Sequence, residues 1–206
     1  MTMTKTNNQY NNQFSGPYLE LIIGPMFSGK TSRLVDIYKQ CKFCNIPVVV
    51  INHSIDNRYD DELLSTHDHI KIPCIKTDKI SHIWKEEPET NGMFKLLRDR
   101  EEAYFADVIL INEGQFFEDL YTTVISMLKF GKKVYIAGLD GDFKRQKFGQ
   151  ILDLIPLCDK ITKLKSLCGI CKNGTPGIFS KRLTNEIEQT IVGSNNYIPV
   201  CRKCYN

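Results

Sequence analysis

Gly24-Pro25-Met26-Phe27-Ser28-Gly29-Lys30-Thr31 fits the phosphate-binding pattern G-x-x-x-x-G-K-[ST] at every fixed position. Immediately before it, Leu19-Glu20-Leu21-Ile22-Ile23 is a short apolar run with strand character, and after it Lys30 to Cys44 carries apolar residues at helical spacing. Strand, loop and helix in that order predict a nucleotide site. The glycines let the backbone curl so that successive N–H groups face phosphate oxygens, and the helix N-terminus adds partial positive charge. Lys30 is expected to reach the outer phosphates, and the Thr31 hydroxyl to meet Mg²⁺.

Outward from this loop, the chain alternates strand with helix. Ile46 to Asn52, Val108 to Ile111 and Val134 to Ala137 have strand character, and Glu118 to Phe130 reads as a helix stopped by Gly131. Such alternation predicts an α/β fold of the P-loop NTPase type, a parallel sheet with helices on both faces. Ligands in these sheets sit beyond the carboxyl ends of the strands. The segments there are Asp56-Asn57-Arg58-Tyr59, Asn112-Glu113-Gly114-Gln115-Phe116-Phe117 and Leu139-Asp140-Gly141-Asp142-Phe143. Glu113 is placed to take a proton from an attacking hydroxyl. Phe116, Phe117, Phe143 and Phe148 offer flat apolar surfaces on which a base can stack. Residues 77–103 carry no readable chemistry.

The 206 residues suffice for one α/β domain and a small appendage. A net charge of +3 is too slight to argue for a nucleic-acid or membrane partner. Residues 1–16, rich in Asn, Gln and Thr, read as a mobile tail without a signal-peptide core, and no apolar run is long enough to span a bilayer, so a cytoplasmic protein is expected. In that compartment the eight cysteines are expected as thiols and metal ligands in place of disulfides. Cys168-x-x-Cys171 and Cys201-x-x-Cys204 together supply the four thiolates of a closed, structural zinc site. Between them, Ile178 to Leu183 and Ile187 to Val192 flank Thr184-Asn185-Glu186 as a predicted hairpin. Cys41-x-x-Cys44 has no matching second pair and reads as buried thiols, and the four histidines form no ligand pattern.

In order along the chain, Gly24 to Thr31, Asp56 to Tyr59, Thr66-His67-Asp68, Glu113 to Phe117, Leu139-Asp140-Gly141, Phe148-Gly149, Ile155-Pro156-Leu157, Lys181-Arg182-Leu183 and Cys201 to Tyr205 resemble the thymidine kinases shared by animal cytosol, many bacteria and poxviruses. The resemblance spans Leu19 to Tyr205. It implies transfer of the γ-phosphoryl group of ATP to the 5′-hydroxyl of thymidine, and of deoxyuridine, with Mg²⁺ required. It also implies one structural zinc, a homotetramer, with a dimer as the alternative, and inhibition by the end product dTTP. On this resemblance Glu113 is the base, Arg58 and Lys30 steady the transferring phosphoryl group, and Asp56 holds the sugar 3′-hydroxyl. Met26, Phe116, Leu139, Phe143 and Phe148 line the nucleoside pocket. A lasso closes over the base with Phe179, Ser180, Val192, Gly193 and Tyr197. The chain then divides into the tail, a kinase domain over 17–165 and a zinc-binding lasso domain over 166–206.

Three features depart from the family pattern. The Asp-Glu pair expected after the third strand is Asn112-Glu113, so an amide stands near the water shell of Mg²⁺ and is expected to support the ion more weakly than a carboxylate. The lasso is slightly longer around Asn173 to Gly177, and Thr77 to Gly92 has no counterpart. Two other classes fit the phosphate loop: a nucleic-acid-dependent ATPase whose cysteine module holds the polymer, and a nucleotide-binding protein without catalysis. Lys172, Lys181, Arg182, Arg202 and Lys203 form no long basic stripe, which disfavours the first.

Overall fold

The computed structural model describes residues 16–56, 63–66, 68–84, 98–190 and 196–206, with 98–100 as main chain only. In chain order these form β1 (Tyr18–Ile23), α1 (Lys30–Phe43), β2 (Val48–His53), β3 (Leu63–Ser65), β4 (Lys71–Pro73) and β5 (Ile75–Thr77). There follow α2 (Arg98–Phe105), β6 (Val108–Asn112), α3 (Leu120–Lys129), β7 (Lys133–Gly138) and β8 (Lys160–Lys163). The sheet runs β5-β2-β6-β7-β1-β8, and every adjacent pair is parallel. The predicted tail lies outside the described residues but for Gly16.

Side chains alternate across the sheet, so the continuous apolar strands supply two cores. Ile22, Val50, Val108, Leu110 and Ala137 face Leu34, Val35, Ile37 and Cys41 of α1. Leu19, Leu21, Ile51, Ile109, Ile111, Val134 and Ile136 face the other way, against Leu120, Val124 and Met127 of α3 and Ala103 of α2. Helices therefore cover both faces. On the α3 side, residues 80–84, from the described start of the stretch in which no chemistry was readable, are fastened down. The Asp119 carboxylate accepts from the N–H groups of Ile80 (3.2 Å) and Ser81 (2.7 Å), and Trp84 Nε1 donates to Ser126 Oγ (2.8 Å).

The run read as apolar around Leu19 contains a buried carboxylate. Glu20 is 2% exposed and accepts from Thr162 Oγ1 (2.6 Å), Lys160 Nζ (3.2 Å) and Tyr18 OH (3.1 Å). Burial pushes its pKa up, but these three donors outweigh burial and hold it below the usual glutamate value. Thr162 and Lys160 lie on β8, so this acid latches the edge strand to β1.

Beyond β8 the strands are short and antiparallel: β9 (Ser166–Leu167) with β10 (Pro176–Gly177), and β11 (Phe179–Arg182) with β12 (Tyr197–Val200). The predicted hairpin is corrected here. The partner of β11 is β12, in the register Phe179↔Val200 to Arg182↔Tyr197, and 183–190 form no strand. The reason is Arg182, which is 8% exposed and gathers the loop around its guanidinium. Nη1 donates to the carbonyls of Glu186 (2.9 Å) and Glu188 (2.5 Å), and Nη2 to Gln189 O (3.1 Å) and Tyr197 OH (2.6 Å). Those carbonyls are satisfied by a side chain instead of a ladder.

Candidate active site

The phosphate loop joins β1 to α1 under tight steric limits. A Cβ on Gly24 would lie 2.6 Å from the Leu164 carbonyl oxygen and 2.9 Å from Ser28 Oγ, so only glycine fits. Gly29 adopts φ 82 ahead of the helix, and no side chain caps α1. Gly29, Lys30, Thr31 and Ser32 therefore present the helix N-terminus to a cleft, the arrangement that favours an anion. Lys30 Nζ donates to Pro25 O at 2.6 Å, inside its own loop.

Polar groups from β2 and β6 face the same loop. Thr31 Oγ1 donates to Asn112 Oδ1 (3.4 Å), Asn112 Nδ2 to Asn52 Oδ1 (2.9 Å), and Asn52 Nδ2 to Asp56 Oδ2 (3.4 Å). Glu113 follows β6 with φ 55 and ψ 41, a left-handed conformation that is uncommon for a non-glycine residue and aims the chain sharply at the strand end. Gln115 Nε2 donates to Glu113 Oε2 at 2.6 Å, while Gln115 Oε1 accepts from the Leu139 N–H at 2.9 Å. Gln115 thus ties the acid after β6 to the end of β7. Gly149 backs this arrangement: a Cβ there would stand 2.1 Å from the Gln115 carbonyl oxygen.

Apolar surface and lasso complete the cleft. Met26, Phe116, Leu139, Phe143 and Phe148 line it together with Asp56 and Glu113. Phe116 meets Phe148 edge to face at 5.4 Å between ring centroids. Phe117 instead is core, 1% exposed and packed against His53. From the lasso, Ser180 and Tyr197 reach the cleft, whereas Phe179 packs on Tyr205 (5.3 Å). Strand alternation explains the split, since Ser180 and Arg182 share one face of β11 and Phe179 the other. Arg58, Val192 and Gly193 lie outside the described residues.

Some cleft residues were not singled out by sequence. Gln189 and Thr190 line it, and Gln189 Nε2 donates to Asp142 Oδ2 at 2.8 Å. Beside the cleft, Arg182, which the sequence offered only within a family motif and as one of five scattered basic residues, stacks on Phe143 with its guanidinium carbon 3.6 Å from the ring centroid. Asn52 is buried beneath the cleft. Its place at the carboxyl end of a strand was the signal available for it.

The four lasso cysteines converge. The Sγ atoms of Cys168, Cys171, Cys201 and Cys204 all lie within 4.8 Å of one another, with Cys171 at 3.7 Å from Cys201 and 3.4 Å from Cys204. A tetrahedron with metal–sulfur bonds of ~2.3 Å has edges of about 3.8 Å, so the donor set fits a four-coordinate thiolate metal. The Cys171 N–H also approaches Cys168 Sγ at 3.4 Å, and this bond, with others from the backbone, lowers the Cys168 thiol pKa. All eight cysteines are free thiols. Of the two thiols expected to be buried at the end of α1, Cys41 is buried, which raises its pKa, whereas Cys44 is exposed.

Comparison with known proteins agrees with this geometry. The family model described as thymidine kinase matches residues 17–205. A thymidine kinase of Choristoneura fumiferana entomopoxvirus is 39% identical over 191 residues, covering 91% of this chain and 96% of the relative. One from Rabbit fibroma virus (strain Kasza) is 37% identical, covering 92% and 97%. Thymidine kinase 1 of Dictyostelium discoideum is 36% identical, covering 91% and 77%. With a phosphate loop, an acid after β6 and an aromatic slot around one cleft, and with this match over nearly its whole length, the chain belongs to the thymidine kinase family.

Proposed function

We infer that the chain is an ATP-dependent thymidine kinase, transferring the γ-phosphoryl group of ATP to the 5′-hydroxyl of thymidine. The observation that carries this reading is the family match over residues 17–205, whose two ends are the phosphate loop and the lasso that meet at one cleft. No observation favours the nucleic-acid-dependent or non-catalytic alternatives.

In the mechanism we propose, Glu113 accepts the proton of the 5′-hydroxyl as its oxygen attacks the γ-phosphorus and ADP leaves. Gln115 holds one carboxylate oxygen of Glu113, which keeps the base oriented. Lys30 exchanges its bond to Pro25 O for phosphate oxygens, and the N–H groups at the start of α1 complete the cradle. Arg58 adds positive charge at the transferring group and Asp56 holds the sugar 3′-hydroxyl. The base lies among Met26, Phe116, Leu139, Phe143 and Phe148, under the lasso residues Ser180, Val192, Gly193 and Tyr197. We assign Phe179 to supporting the lasso from its far side.

ATP use implies a divalent cation, which we take to be Mg²⁺; when bound it neutralises charge on the β- and γ-phosphates. Thr31 would hold it, with Asn112 behind. We take the thiolate metal to be a structural Zn²⁺, one per chain, stapling together the base of a lasso domain over 166–206 that follows a kinase domain over 17–165. No helix among the described residues is long and apolar enough to cross a membrane, and we place the protein in the cytoplasm. A homotetramer is proposed. The touching exposed rings of Tyr104, Phe105 and Phe130 offer an apolar face of the kind that subunit contacts cover. Deoxyuridine is proposed as a second substrate and dTTP as an inhibitor, because dTTP carries both the nucleoside and the phosphates that the cleft accepts.

ATP consumption measured with thymidine, with single-stranded DNA and with neither tests the function. Thymidine-dependent formation of dTMP is expected. Stimulation by DNA alone would overturn the reading.

A further inference from the structure

Asn52 and Asn112 are register partners at the carboxyl ends of adjacent parallel strands. Their side chains therefore stand side by side on the α1 face, 1% and 2% exposed. The hydrogen bonds among Thr31, Asn112, Asn52 and Asp56 can run in only one direction. A carboxylate accepts only, so Asp56 requires the Nδ2 group of Asn52. Asn52 Oδ1 then faces Asn112, which must donate its own Nδ2. Asn112 Oδ1 is left to accept the proton of the Thr31 hydroxyl. Turning either amide over would set oxygen against oxygen or NH₂ against NH₂.

We propose that Asn52 is a positioning residue for phosphoryl transfer, acting with Asn112 as one polarised pair that holds the Thr31 proton away from the cleft and leaves the hydroxyl lone pairs for the cation. This rests on the reading of Thr31 as a cation ligand. The pair reverses what residue 112 taken singly suggests. Aspartate at 112 would be closer in charge to what a cation prefers, but it would face Asn52 Oδ1. If Asn52 turned to donate to it, Oδ1 would be aimed at Asp56 instead. Between two carboxylates, residue 52 must be a donor only, and the lysine ammonium, with three donors and a compensating charge, meets that condition. Asn52→Lys by itself would set a buried ammonium against the Asn112 NH₂ group or, if that amide turned its Oδ1 to the ammonium, would aim its NH₂ at the Thr31 oxygen and take up a lone pair there, so each single change is unfavourable and the two together are compatible.

The test is a double-mutant cycle of Asn112→Asp, Asn52→Lys and the double variant. Two quantities are read: the thermal unfolding midpoint without nucleotide or magnesium, and the Mg²⁺ concentration for half-maximal rate at saturating ATP and thymidine. Each single variant is expected to unfold several degrees lower, and Asn112→Asp to need on the order of tenfold more Mg²⁺, the effect of leaving a buried polar group unpaired. The double variant is expected to recover both. If Asn52→Lys does not fold, the comparison of Asn112→Asp with the double variant carries the test. An Asn112→Asp protein as stable as wild type with a lower Mg²⁺ requirement would overturn the proposal, as would additive effects in the double variant. Recovery of the midpoint without movement of the Mg²⁺ requirement would also overturn it, since the pair would then be structural only. Thr31→Val separates the two levels. Unchanged Mg²⁺ dependence there would refute the Thr31 reading, whereas a raised requirement there with no coupling between 52 and 112 would refute the pair alone.

Discussion

The Met26 N–H in the phosphate loop donates to Ser180 Oγ on β11 at 2.9 Å, across 154 positions of sequence. This bond joins the segment that carries the four clustered cysteines to the phosphate loop. If the lasso closes over thymidine as proposed, this bond links that closure to the ordering of the phosphate loop. Ser180→Ala is expected to raise KM for both thymidine and ATP by roughly five- to tenfold, the worth of one hydrogen bond, with a small change in thermal stability. Steady-state kinetics with each substrate varied in turn is the check. A change confined to thymidine would show that the bond does not link the two sites.

Glu113→Gln keeps the shape of the side chain and its proximity to Gln115 but cannot take a proton. Turnover should fall by ~10²–10⁴-fold while thymidine and ATP binding, measured by calorimetry, stay close to wild type. Near-normal turnover would remove Glu113 from the role of base.

Arg182 holds four oxygen acceptors with one planar guanidinium, a geometry that lysine cannot reproduce. In Arg182→Lys the loop carrying Gln189 and Thr190 should loosen, with KM for thymidine rising about tenfold or more and limited proteolysis appearing between 183 and 190. Protease resistance equal to wild type would show that the loop is held by other contacts.

Purified protein should contain one tightly bound zinc per chain, and Cys168→Ser or Cys204→Ser should lose it and raise the thymidine KM, because the metal closes the lasso. Elemental analysis and thymidine kinetics decide the matter. A metal-free wild-type protein would refute the zinc assignment, and normal thymidine affinity in the mutants would refute its role in closure.

His53 Nδ1 accepts the Ile55 N–H at 3.1 Å, and the ring is wedged against Phe116 and Phe117. Burial lowers its pKa below 6.5, more than Asp78, Glu113 and Asp119 raise it. The folded state thus prefers the neutral ring. Its contribution to stability is full above pH 6.5 and is lost as pH falls from there through the folded pKa. Asn at this position can still accept from Ile55 without titrating, so His53→Asn should flatten the loss of unfolding midpoint between about pH 7 and pH 5. Parallel slopes for the two proteins would place the acid sensitivity elsewhere.

The phosphate loop, the four sheet strands around it and the paired cysteines were legible in the sequence because each is a local pattern. Glycine spacing, β-branched runs and C-x-x-C all act within a few residues of one another. The grouping of Phe116, Phe143 and Phe148 near one crevice followed from a general rule about strand ends, whereas Met26 and Leu139 were named only through the family resemblance. What only the tertiary structure decided is non-local. β8 joins β1 through a buried Glu20 that accepts from Thr162, 142 positions onward. The short run Ile187 to Val192 was read as a strand of a hairpin, yet β12 won the pairing with β11 because Arg182 satisfies the carbonyls of the intervening loop. Asn112 as a sequence position is a departure from a family pattern. Beside Asn52 it is one half of a hydrogen-bonded pair, since register between strands, and not the residue by itself, determines which way a buried amide must point.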